Sequence, residues 1–293
     1  MKKVLLTGFS GFLGNTILDF LENNKYEVVK VGRNKNADIL CDLSINSFPE
    51  VEADYVIHVA GKAHVIPKTI EEKEDFFKVN YIGTKNLLTG LNLNKLKTII
   101  FISTVAVYGK EVGELIDENT PLKGFTPYAL SKTKAEETLM NFGAKNNINI
   151  VVLRLPLITG KNPVGNLQSM IKAIQKGYYF RIGKGDAQRS IISAIDVAKV
   201  IPDVLNLNGI YNYTDCTHPR IAQIDTVIGK KYNKKIKKLP KPLLKWFAKI
   251  GDIIPFFPFN SNKFDKLTNT LTFSNKKILQ EIKFKPNNGL KSI

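Results

Sequence analysis

The first 160 residues alternate short apolar runs with longer stretches in which apolar residues recur at helical spacing. The apolar runs predict β-strands at residues 3–7, 26–31, 55–59, 98–103 and 148–153. The periodic stretches predict helices at about 11–23, 71–93 and 128–146. Parallel neighbours need a crossover connection, which strands that alternate with helices of this length provide. We therefore expect an α/β fold built on a doubly wound parallel sheet.

After about residue 160 the pattern becomes irregular and proline becomes more frequent. This change predicts a smaller lobe that is built on the end of the sheet. We expect one domain over residues 1–160, and a second, smaller lobe made mainly by residues 161–293.

Positive charge is concentrated near the C-terminus. The 293 residues carry a formal net charge of +17, and residues 201–293 hold 17 lysines and arginines against 6 acidic residues. The excess peaks at residues 230–249, where nine lysines occur without an acidic residue. Such a segment attracts polyanions such as nucleic acid, anionic lipid or a phosphorylated substrate. A solvated lysine-rich surface is the alternative.

The chain has no expected membrane span. Its longest run without charge, residues 4–18, contains three glycines together with Thr7, Ser10 and Asn15, and it is too short to cross a bilayer. Its two cysteines, Cys41 and Cys216, are far apart in the sequence, so neither a disulfide framework nor a cysteine-rich metal site is expected. We expect a cytoplasmic protein.

Three glycines follow the first predicted strand at intervals of three residues. Gly8, Gly11 and Gly14 lie where the strand ends and the first helix begins. The turn, the close approach of a pyrophosphate and the packing of the helix on the strand each need a residue without Cβ. The start of the helix adds free N–H groups for phosphates. This pattern predicts a dinucleotide site.

The end of the second strand indicates which dinucleotide is bound. An acidic residue there holds the 2′-hydroxyl of NAD, whereas a 2′-phosphate needs a cation. Here Arg33 follows the strand, and the next carboxylate is Asp38. NADP(H) is therefore favoured, with NAD(H) as the alternative. Asp42 and Leu43 are placed to meet the adenine edge.

Tyr128 and Lys132 are four residues apart at the start of a predicted helix, so they share a face. An ammonium near the phenol is expected to lower the phenol's pKa, which lets the tyrosine exchange a proton with a carbonyl or carbinol. Ser103 and Thr104, at the end of the fourth strand, add hydroxyls at the sheet edge where ligands collect. This set of residues predicts ketone–alcohol chemistry.

Seven motifs in order resemble the extended short-chain dehydrogenase/reductases, the NAD-dependent epimerase/dehydratase family that acts on nucleotide sugars. They are Gly8-x-x-Gly11-x-x-Gly14, Asp42-Leu43, His58-Val-Ala-Gly61, Asn80, Ser103-Thr104-x-x-Val107-Tyr108-Gly109, Tyr128-x-x-x-Lys132 and Arg154-x-Pro156. The resemblance implies a Rossmann domain for the cofactor and a smaller C-terminal lobe for the nucleotide-diphosphate sugar. Oligomeric state is left open, with a homodimer as one option.

The resemblance also implies roles for individual residues. Tyr128 would be the acid/base, Lys132 would also hold the nicotinamide ribose, and Thr104 would bond the 4-oxygen of the sugar, beside Ser103. The His58 segment, with Ala60 and Gly61, would line the pyrophosphate and ribose, although His58 could equally be a packed strand histidine. The glycine loop contributes Phe12 and Leu13 to the cofactor site. Lys62, Asn166 and Arg189 would contact the substrate, the last two at its diphosphate.

Segments in the last third are similar to one subgroup, bacterial reductases of 4-keto-6-deoxy-hexosamine nucleotides used in surface polysaccharide assembly. They are residues 239–252 and 267–273. The dehydratases of the family carry Asp-Glu after the catalytic threonine, whereas this chain has Val105 and Ala106. A 4,6-dehydratase of that type is therefore disfavoured.

These patterns predict an NADPH-dependent reductase of a 4-ketosugar nucleotide. A 4-epimerase with tightly bound NAD is the alternative, and a non-catalytic anion- or membrane-binding scaffold is a remote one. No nucleic-acid partner is expected. Residues 230–259 allow weak contact with an anionic membrane surface, but we expect residues 243–254 to form a helix that packs on the lobe through Leu243, Phe247, Ile250 and Ile254.

Overall fold

The computed structural model of the protein describes residues 1–253 and 260–293. The strands are β1 (Lys3–Thr7), β2 (Glu27–Gly32), β3 (Ile39–Leu40), β4 (Val51–Glu52), β5 (Tyr55–His58), β6 (Leu91–Asn92), β7 (Thr98–Thr104), β8 (Gly113–Ile116), β9 (Asn149–Leu155), β10 (Leu157–Thr159), β11 (Phe180–Ile182), β12 (Ile191–Ser193), β13 (Gly209–Asn212), β14 (Lys237–Leu239) and β15 (Leu271–Phe273). The α-helices are α1 (Phe12–Asn23), α2 (Ile70–Phe77), α3 (Gly83–Thr89), α4 (Pro127–Asn146), α5 (Gly165–Gln175), α6 (Ala194–Lys199), α7 (Ile201–Val204), α8 (Ile221–Lys231), α9 (Lys241–Ile253), α10 (Ser261–Thr268) and α11 (Lys276–Glu281).

A parallel sheet runs through the described part of the chain in the order β3-β2-β1-β5-β7-β9-β13. From β1 the chain moves to one edge through β2 and β3, then returns beside β1 as β5 and continues to the other edge. Strand order therefore reverses between β1 and β5, and the crevice outside the carboxyl ends at such a reversal is where open sheets bind ligands. The predicted doubly wound parallel sheet is confirmed.

The sheet buries apolar side chains on both faces because successive residues of a strand point to opposite sides. In β1, Val4 and Leu6 join the core beneath α1 and α6, whereas Leu5 joins the core beneath α3 and α4. Helix α1 adds Leu13, Ile17 and Leu21 to the first core. The β-branched and apolar runs in the sequence are thus the interior of a three-layer arrangement.

The strand and helix predictions agree with the structure to within a few residues, except at 71–93. There the chain forms α2, a π-helical turn over Lys78–Ile82, and α3, and it then enters the short strand β6. Gly90 ends α3, and a Cβ at this position would lie 2.3 Å from the carbonyl oxygen of Pro49. The close crossing of the two chain segments explains why the helix stops early.

Residues after 160 contribute to both parts of the fold. Strand β13 completes one edge of the central sheet, and α6 packs against α1. A separate apolar cluster forms under α5 and α8, and it contains Leu167, Ile174, Ile191, Ile224 and Ile228. The division into a cofactor domain over 1–160 and a substrate lobe over 161–293 stays a prediction.

The helix expected at 243–254 is present as α9, but it packs through a different face. Ala248 is fully buried and Leu244 is half-buried, whereas Leu243 and Phe247 are 46% and 40% exposed. The expected packing face was therefore wrong at Leu243 and Phe247, and Ile254 lies outside the described residues. None of the helices in the described ranges is long and apolar enough to cross a membrane.

Helix α4 begins with a side-chain cap at Thr126. Its hydroxyl accepts a hydrogen bond from the backbone N–H of Ala129 at 3.2 Å, and Pro127 occupies the first turn. Such a cap satisfies a backbone donor that the helix itself leaves free. We expect Thr126→Ala to lower the free energy of unfolding by about 1 kcal/mol. Urea denaturation measures this change, and Thr126→Ser, which keeps the acceptor, should recover most of the loss.

Candidate active site

The loop that follows β1 is packed so tightly that side chains are excluded. Gly8 has φ +71°, and a Cβ there would lie 2.6 Å from the backbone nitrogen of Ala60. A Cβ on Gly14 would lie 2.0 Å from the carbonyl oxygen of Gly8. Gly11 is exposed and directly precedes α1. The loop therefore offers bare backbone and a helix N-terminus at the strand reversal, which fits a dinucleotide pyrophosphate.

Phe12 and Leu13 form the start of α1, directly after this loop. Leu13 is buried in the core, while the ring of Phe12 lies where a Cβ on Gly160 would approach it to 3.0 Å. Both side chains therefore fix the first turn of α1 and leave the backbone as the surface that a cofactor can meet.

His58, at the end of β5, is a packed histidine with both ring nitrogens engaged. Nδ1 lies 2.7 Å from the hydroxyl of Thr7, Nε2 lies 3.0 Å from the hydroxyl of Thr84, and the ring stacks on Phe101. Burial, together with the charge of Lys132, lowers the pKa of His58 to about 3, so the ring is neutral. Of the two interpretations of His58, this geometry favours the packed one.

The neighbours of His58 fix its tautomer. Thr84 donates its hydroxyl proton to the carbonyl of Asn80 at 2.7 Å, so it accepts from Nε2–H. Nδ1 is then an acceptor, and the hydroxyl of Thr7 donates a hydrogen bond to it. The Thr7 oxygen in turn accepts a hydrogen bond from the backbone N–H of Ala60 at 3.2 Å. One directed chain of hydrogen bonds thus joins the loop at Ala60 to the helix that carries Asn80.

Asn80 lies in the π-helical turn and is 1% exposed. Its amide pairs with the backbone of Lys62 in both directions, at 2.7 and 3.1 Å, and also donates to Ser131 at 2.9 Å. A π-turn within a helix often marks a functional position. Here it presents one side chain that fastens the segment after β5 to helix α4.

Tyr128, Lys132 and Thr104 meet at the carboxyl end of β7. The side chain of Thr104 lies close enough to the phenol of Tyr128 to act on its pKa. The ammonium of Lys132 donates to the carbonyl of Ile102 at 2.9 Å and lies 4.4 Å above the ring of Phe101. A Cβ on Gly61 would approach the Lys132 nitrogen to 3.2 Å. The structure therefore brings together the three residues predicted to be catalytic, beside bare backbone at Gly61.

The acid–base properties of this group differ from the sequence expectation. Burial raises the pKa of Tyr128 to about 12, although the side chain of Thr104 acts in the opposite direction. Burial lowers the pKa of Lys132 to about 8, while Glu136 acts to raise it. The expected lowering of the pKa of Tyr128 was wrong for the protein alone, because the ammonium is directed to the Ile102 carbonyl. Tyr128 is therefore a protonated phenol at neutral pH.

Ser103 does not face the site. It is 4% exposed and its hydroxyl donates to Glu136, so it differs from the predicted substrate contact. Glu136 forms a buried ion pair with Arg154 at 2.6 Å, and Arg154 also donates to the hydroxyl of Tyr108. Sequence reasoning missed Glu136, although its position four residues after Lys132 placed a charge on the buried face of the helix. This buried network lies next to Thr104 and Lys132, two of the three residues predicted to be catalytic.

Arg33 extends from the end of β2 into solvent. Its side chain is 77% exposed, and its guanidinium lies 3.7 Å from the carboxyl of Asp42. Asp42 also accepts from the backbone N–H and hydroxyl of Ser44, and these contacts keep its pKa below the usual value despite partial burial. Leu43 packs on the core beside Gly83. A single long, exposed contact leaves the Arg33 guanidinium with donors to offer a phosphate.

The three residues predicted to contact the substrate differ in how far their side chains are already bound within the protein. Lys62 pairs with Asp75 at 2.9 Å, and Asn166 is exposed in the first turn of α5. Arg189 donates to the backbone carbonyls of Gln188, Asn269 and Lys266, so much of its guanidinium is used within the protein. Burial lowers the pKa of Arg189 below its usual range. Asn166 is thus exposed and Lys62 is half-buried beside Asp75, whereas Arg189 would have to release a carbonyl or use its remaining donors to bind a ligand.

The reversed strand order, the glycine loop and the Tyr128–Lys132–Thr104 group together define a class of protein: dinucleotide-dependent enzymes with a Tyr-x-x-x-Lys pair. Residues 4–212 match the NAD dependent epimerase/dehydratase family. The chain belongs to this family, whose members are NAD(P)-dependent enzymes acting on nucleotide sugars.

Individual relatives are similar over most of the chain. The N-acetyl-alpha-D-glucosaminyl-diphospho-ditrans,octacis-undecaprenol 4-epimerase of Escherichia coli O157:H7 is 29% identical over 261 residues, which are 82% of this chain and 76% of that protein. The UDP-glucose 4-epimerase of Vibrio cholerae is 26% identical over 298 residues, covering 92% of this chain and 86% of the relative. The structure of RMD from Pseudomonas aeruginosa complexed with NADPH has the same fold, with a TM-score of 0.74, 20% identity, and coverage of 100% of this chain and 98% of that chain.

The buried ammonium of Lys132 should make stability depend on pH. Its folded pKa of about 8 lies below the ordinary value of 10.5, so between these values the unfolded chain binds more protons. The unfolding free energy of the wild type should therefore increase as the pH rises from about 8 to 10.5, and this gain is lost as the pH falls back through the same range. Relative to Lys132→Met, we expect a gain of about 2.5 kcal/mol between pH 7 and pH 10, measured by urea denaturation.

Lys134→Met is the matched control because it removes an exposed lysine from the same helix. The difference in unfolding free energy between Lys134→Met and the wild type should not change between pH 7 and pH 10. A constant difference for Lys132→Met would contradict the buried ammonium.

Proposed function

We propose that the protein is an NADPH-dependent oxidoreductase that reduces a 4-keto group on a nucleotide sugar. The observation that carries this proposal is the convergence of Tyr128, Thr104 and Lys132 at the carboxyl end of β7. The order of the seven motifs along the chain and the family membership support the same chemistry. A role in surface polysaccharide assembly agrees with the polyprenyl-linked sugar in the name of the Escherichia coli relative.

The cofactor would lie across the strand reversal. Gly8, Gly11 and Gly14 would admit its pyrophosphate, Ala60 and Gly61 its ribose, and Asp42 and Leu43 its adenine edge. Arg33 would pair with a 2′-phosphate, because it is an exposed cation at the end of β2. When bound, the nicotinamide supplies the hydride that reaches C4 of the sugar.

Tyr128 would act as the general acid. Its phenol is protonated at neutral pH, so it can donate its proton to the C4 oxygen as the carbonyl becomes an alcohol. The Thr104 hydroxyl would bond the same oxygen and orient it. Lys132 would hold the nicotinamide ribose, and it would stabilise the tyrosinate that this transfer leaves behind once its ammonium turns from the Ile102 carbonyl towards the phenol. A phenol that is protonated before reaction suits reduction, because the C4 oxygen must gain a proton as the alcohol forms.

The substrate would approach from the C-terminal lobe. Lys62 and Asn166 are exposed enough to meet it, and the N-terminal turn of α5 adds free backbone N–H groups near Asn166. Arg189 would help bind the diphosphate through donors that its backbone carbonyl contacts leave free. We assign Ser103 to support of Glu136 instead of substrate contact.

A 4-epimerase with tightly bound NAD is the second candidate. Two relatives are 4-epimerases by name. An epimerase must first remove a proton from the C4 hydroxyl and return the hydride to the same sugar, so it needs Tyr128 ionised at the start and consumes no cofactor. A cytoplasmic location and a homodimer remain predictions.

The proposed reductase activity is tested by replacing Tyr128, the proposed general acid. With NADPH and a 4-keto-6-deoxy-hexose nucleotide, the wild type should oxidise one NADPH for each alcohol formed. Tyr128→Phe should slow the single-turnover rate by about 10²–10⁴-fold, because it removes a positioned proton donor. Cofactor affinity should stay nearly unchanged. Rapid-quench sampling with absorbance at 340 nm follows both products.

Tyr178→Phe is the control, since Tyr178 is 60% exposed and lies away from the group. It should retain the wild-type rate. Interconversion of 4-hydroxy epimers without net NADPH oxidation would replace the reductase with the epimerase. Tyr128→Phe rates within a few-fold of the wild type would remove the acid assignment in either case.

Arg33 should discriminate between the two cofactors. If its guanidinium pairs with the 2′-phosphate, Arg33→Ala should weaken NADPH binding by about 1.5–3 kcal/mol and leave NADH binding almost unchanged. Titration by quenching of protein fluorescence gives both affinities. Lys35→Ala, which removes another exposed cation two residues away, should change neither. Equal losses for both cofactors, or a wild-type preference for NADH, would show that this strand end does not select NADPH.

A further inference from the structure

Helix α9 carries two apolar faces, and the structure buries only one of them. Ala248 and Leu244 face the protein. Leu243, Trp246 and Phe247 are 46%, 59% and 40% exposed. Leu243, Trp246, Phe247 and half-buried Ile250 follow i, i+3, i+4, i+7 spacing, so they form one continuous stripe. We call these four residues the outer stripe.

The outer stripe is set in a field of uncompensated positive charge. Nine lysines lie between Asp225 and Asp252 with no acidic residue among them, and all nine are exposed; they are Lys230, Lys231, Lys234, Lys235, Lys237, Lys238, Lys241, Lys245 and Lys249. Within the described part of the chain, none of the nine pairs with an acidic side chain, although Lys231 donates to the carbonyl of Ile293. Lys245 and Lys249 are one turn apart, and at 100° per residue Lys249 lies about 60° and Lys245 about 100° from Trp246, which forms the edge of the outer stripe on that side.

We propose that α9 docks the protein on an anionic membrane surface, with the outer stripe at the boundary between headgroups and acyl chains. An interfacial helix combines an apolar face that includes aromatic residues with a lysine-rich flank. Each lysine near an anionic surface strengthens binding by about fivefold. This role is peripheral, and it goes beyond the proposed function without depending on it.

Docking would place the candidate substrate residues close to the membrane. Helix α9 packs against α10. The carbonyls of Lys266 in α10 and of Asn269 just after it hold the guanidinium of Arg189. A membrane in contact with α9 is thus separated from Arg189 by two helices, α9 and α10.

Two other occupants fit less well. Nucleic acid would use the lysines but would leave Leu243 and Phe247 exposed to water. A second copy of the chain would bring nine lysines of each copy together, and the like charges would repel. An anionic bilayer satisfies the charge and the apolar stripe together.

Trp246 makes the test specific because it is the only tryptophan in the chain. On addition of vesicles of phosphatidylcholine with 30% phosphatidylglycerol, its emission should shift to the blue, and lipids brominated in the acyl chains should quench it. Pure phosphatidylcholine vesicles should give a much weaker response. The response should fade at 1 M salt, since the Debye length falls to about 3 Å.

Variants separate the two parts of the surface. Leu243→Glu/Phe247→Glu should abolish binding, whereas Ile70→Glu, which adds an acidic group at another exposed apolar position, should not. Lys245→Gln/Lys249→Gln should lower the vesicle partition coefficient by about 30-fold. Lys73→Gln/Lys145→Gln makes the same change in net charge elsewhere and should have little effect. Circular dichroism verifies that each variant is folded.

Several results would overturn the proposal. These are no emission shift at low salt, equal binding to neutral vesicles, or equal loss in the variants and their controls. A blue shift that follows protein concentration without lipid, with dimers in sedimentation velocity, would assign the outer stripe to a second copy. Binding of duplex DNA that survives Leu243→Glu/Phe247→Glu, together with no vesicle binding, would assign the lysines to nucleic acid.

Discussion

The candidate site is organised around one unfavourable requirement, the burial of a lysine ammonium. Lys132 is 4% exposed, and burial lowers its pKa to about 8. The ammonium is stabilised by the Ile102 carbonyl at 2.9 Å, by the face of Phe101 and by the charge of Glu136 one turn further along α4. Each of these partners belongs to β7 or α4. The position of α4 against the sheet, and therefore of Tyr128, is tied to how this one charge is satisfied.

A second layer of buried polar groups makes that arrangement precise. Behind the lysine, Glu136 is held by Arg154 and Ser103, so its charge has fixed partners. Removing one member of a buried ion pair leaves the other uncompensated and typically costs about 3–5 kcal/mol. On the cofactor side, His58 orders the loop at Ala60 through Thr7. These side chains are all buried, and they determine where the backbone and the phenol lie.

The sequence carried enough information for the fold class and for the residues that meet at β7, but less for what each residue does. Alternating apolar runs are a strong signal, since both faces of the sheet are buried, and Tyr128 and Lys132 share a face by helix geometry alone. Ser103 was assigned to the substrate because its hydroxyl lies beside Thr104, yet adjacent strand residues point to opposite sides. The pKa of Tyr128 depends on its burial and on the direction of the Lys132 ammonium, and the four-residue spacing of the two residues determines neither. Arg189 donates to backbone carbonyls of residues about 80 positions later in the chain, and local sequence gives no sign of such contacts.

Helix α9 was also predicted from the sequence, but the face through which it packs was not. Its apolar residues are too many for one face, so periodicity alone allowed packing through Leu243 and Phe247 or through Leu244 and Ala248. The structure uses the second pair, and the small side chain of Ala248 lets the helix backbone approach the protein closely. The larger side chains are consequently the ones left outside. A monomer gains nothing from exposing Trp246 and Phe247 to water, because burying apolar area is worth about 25 cal/mol per Å². A stripe of this size that is bordered by unpaired lysines is therefore better explained by a surface that it meets than by the fold that carries it.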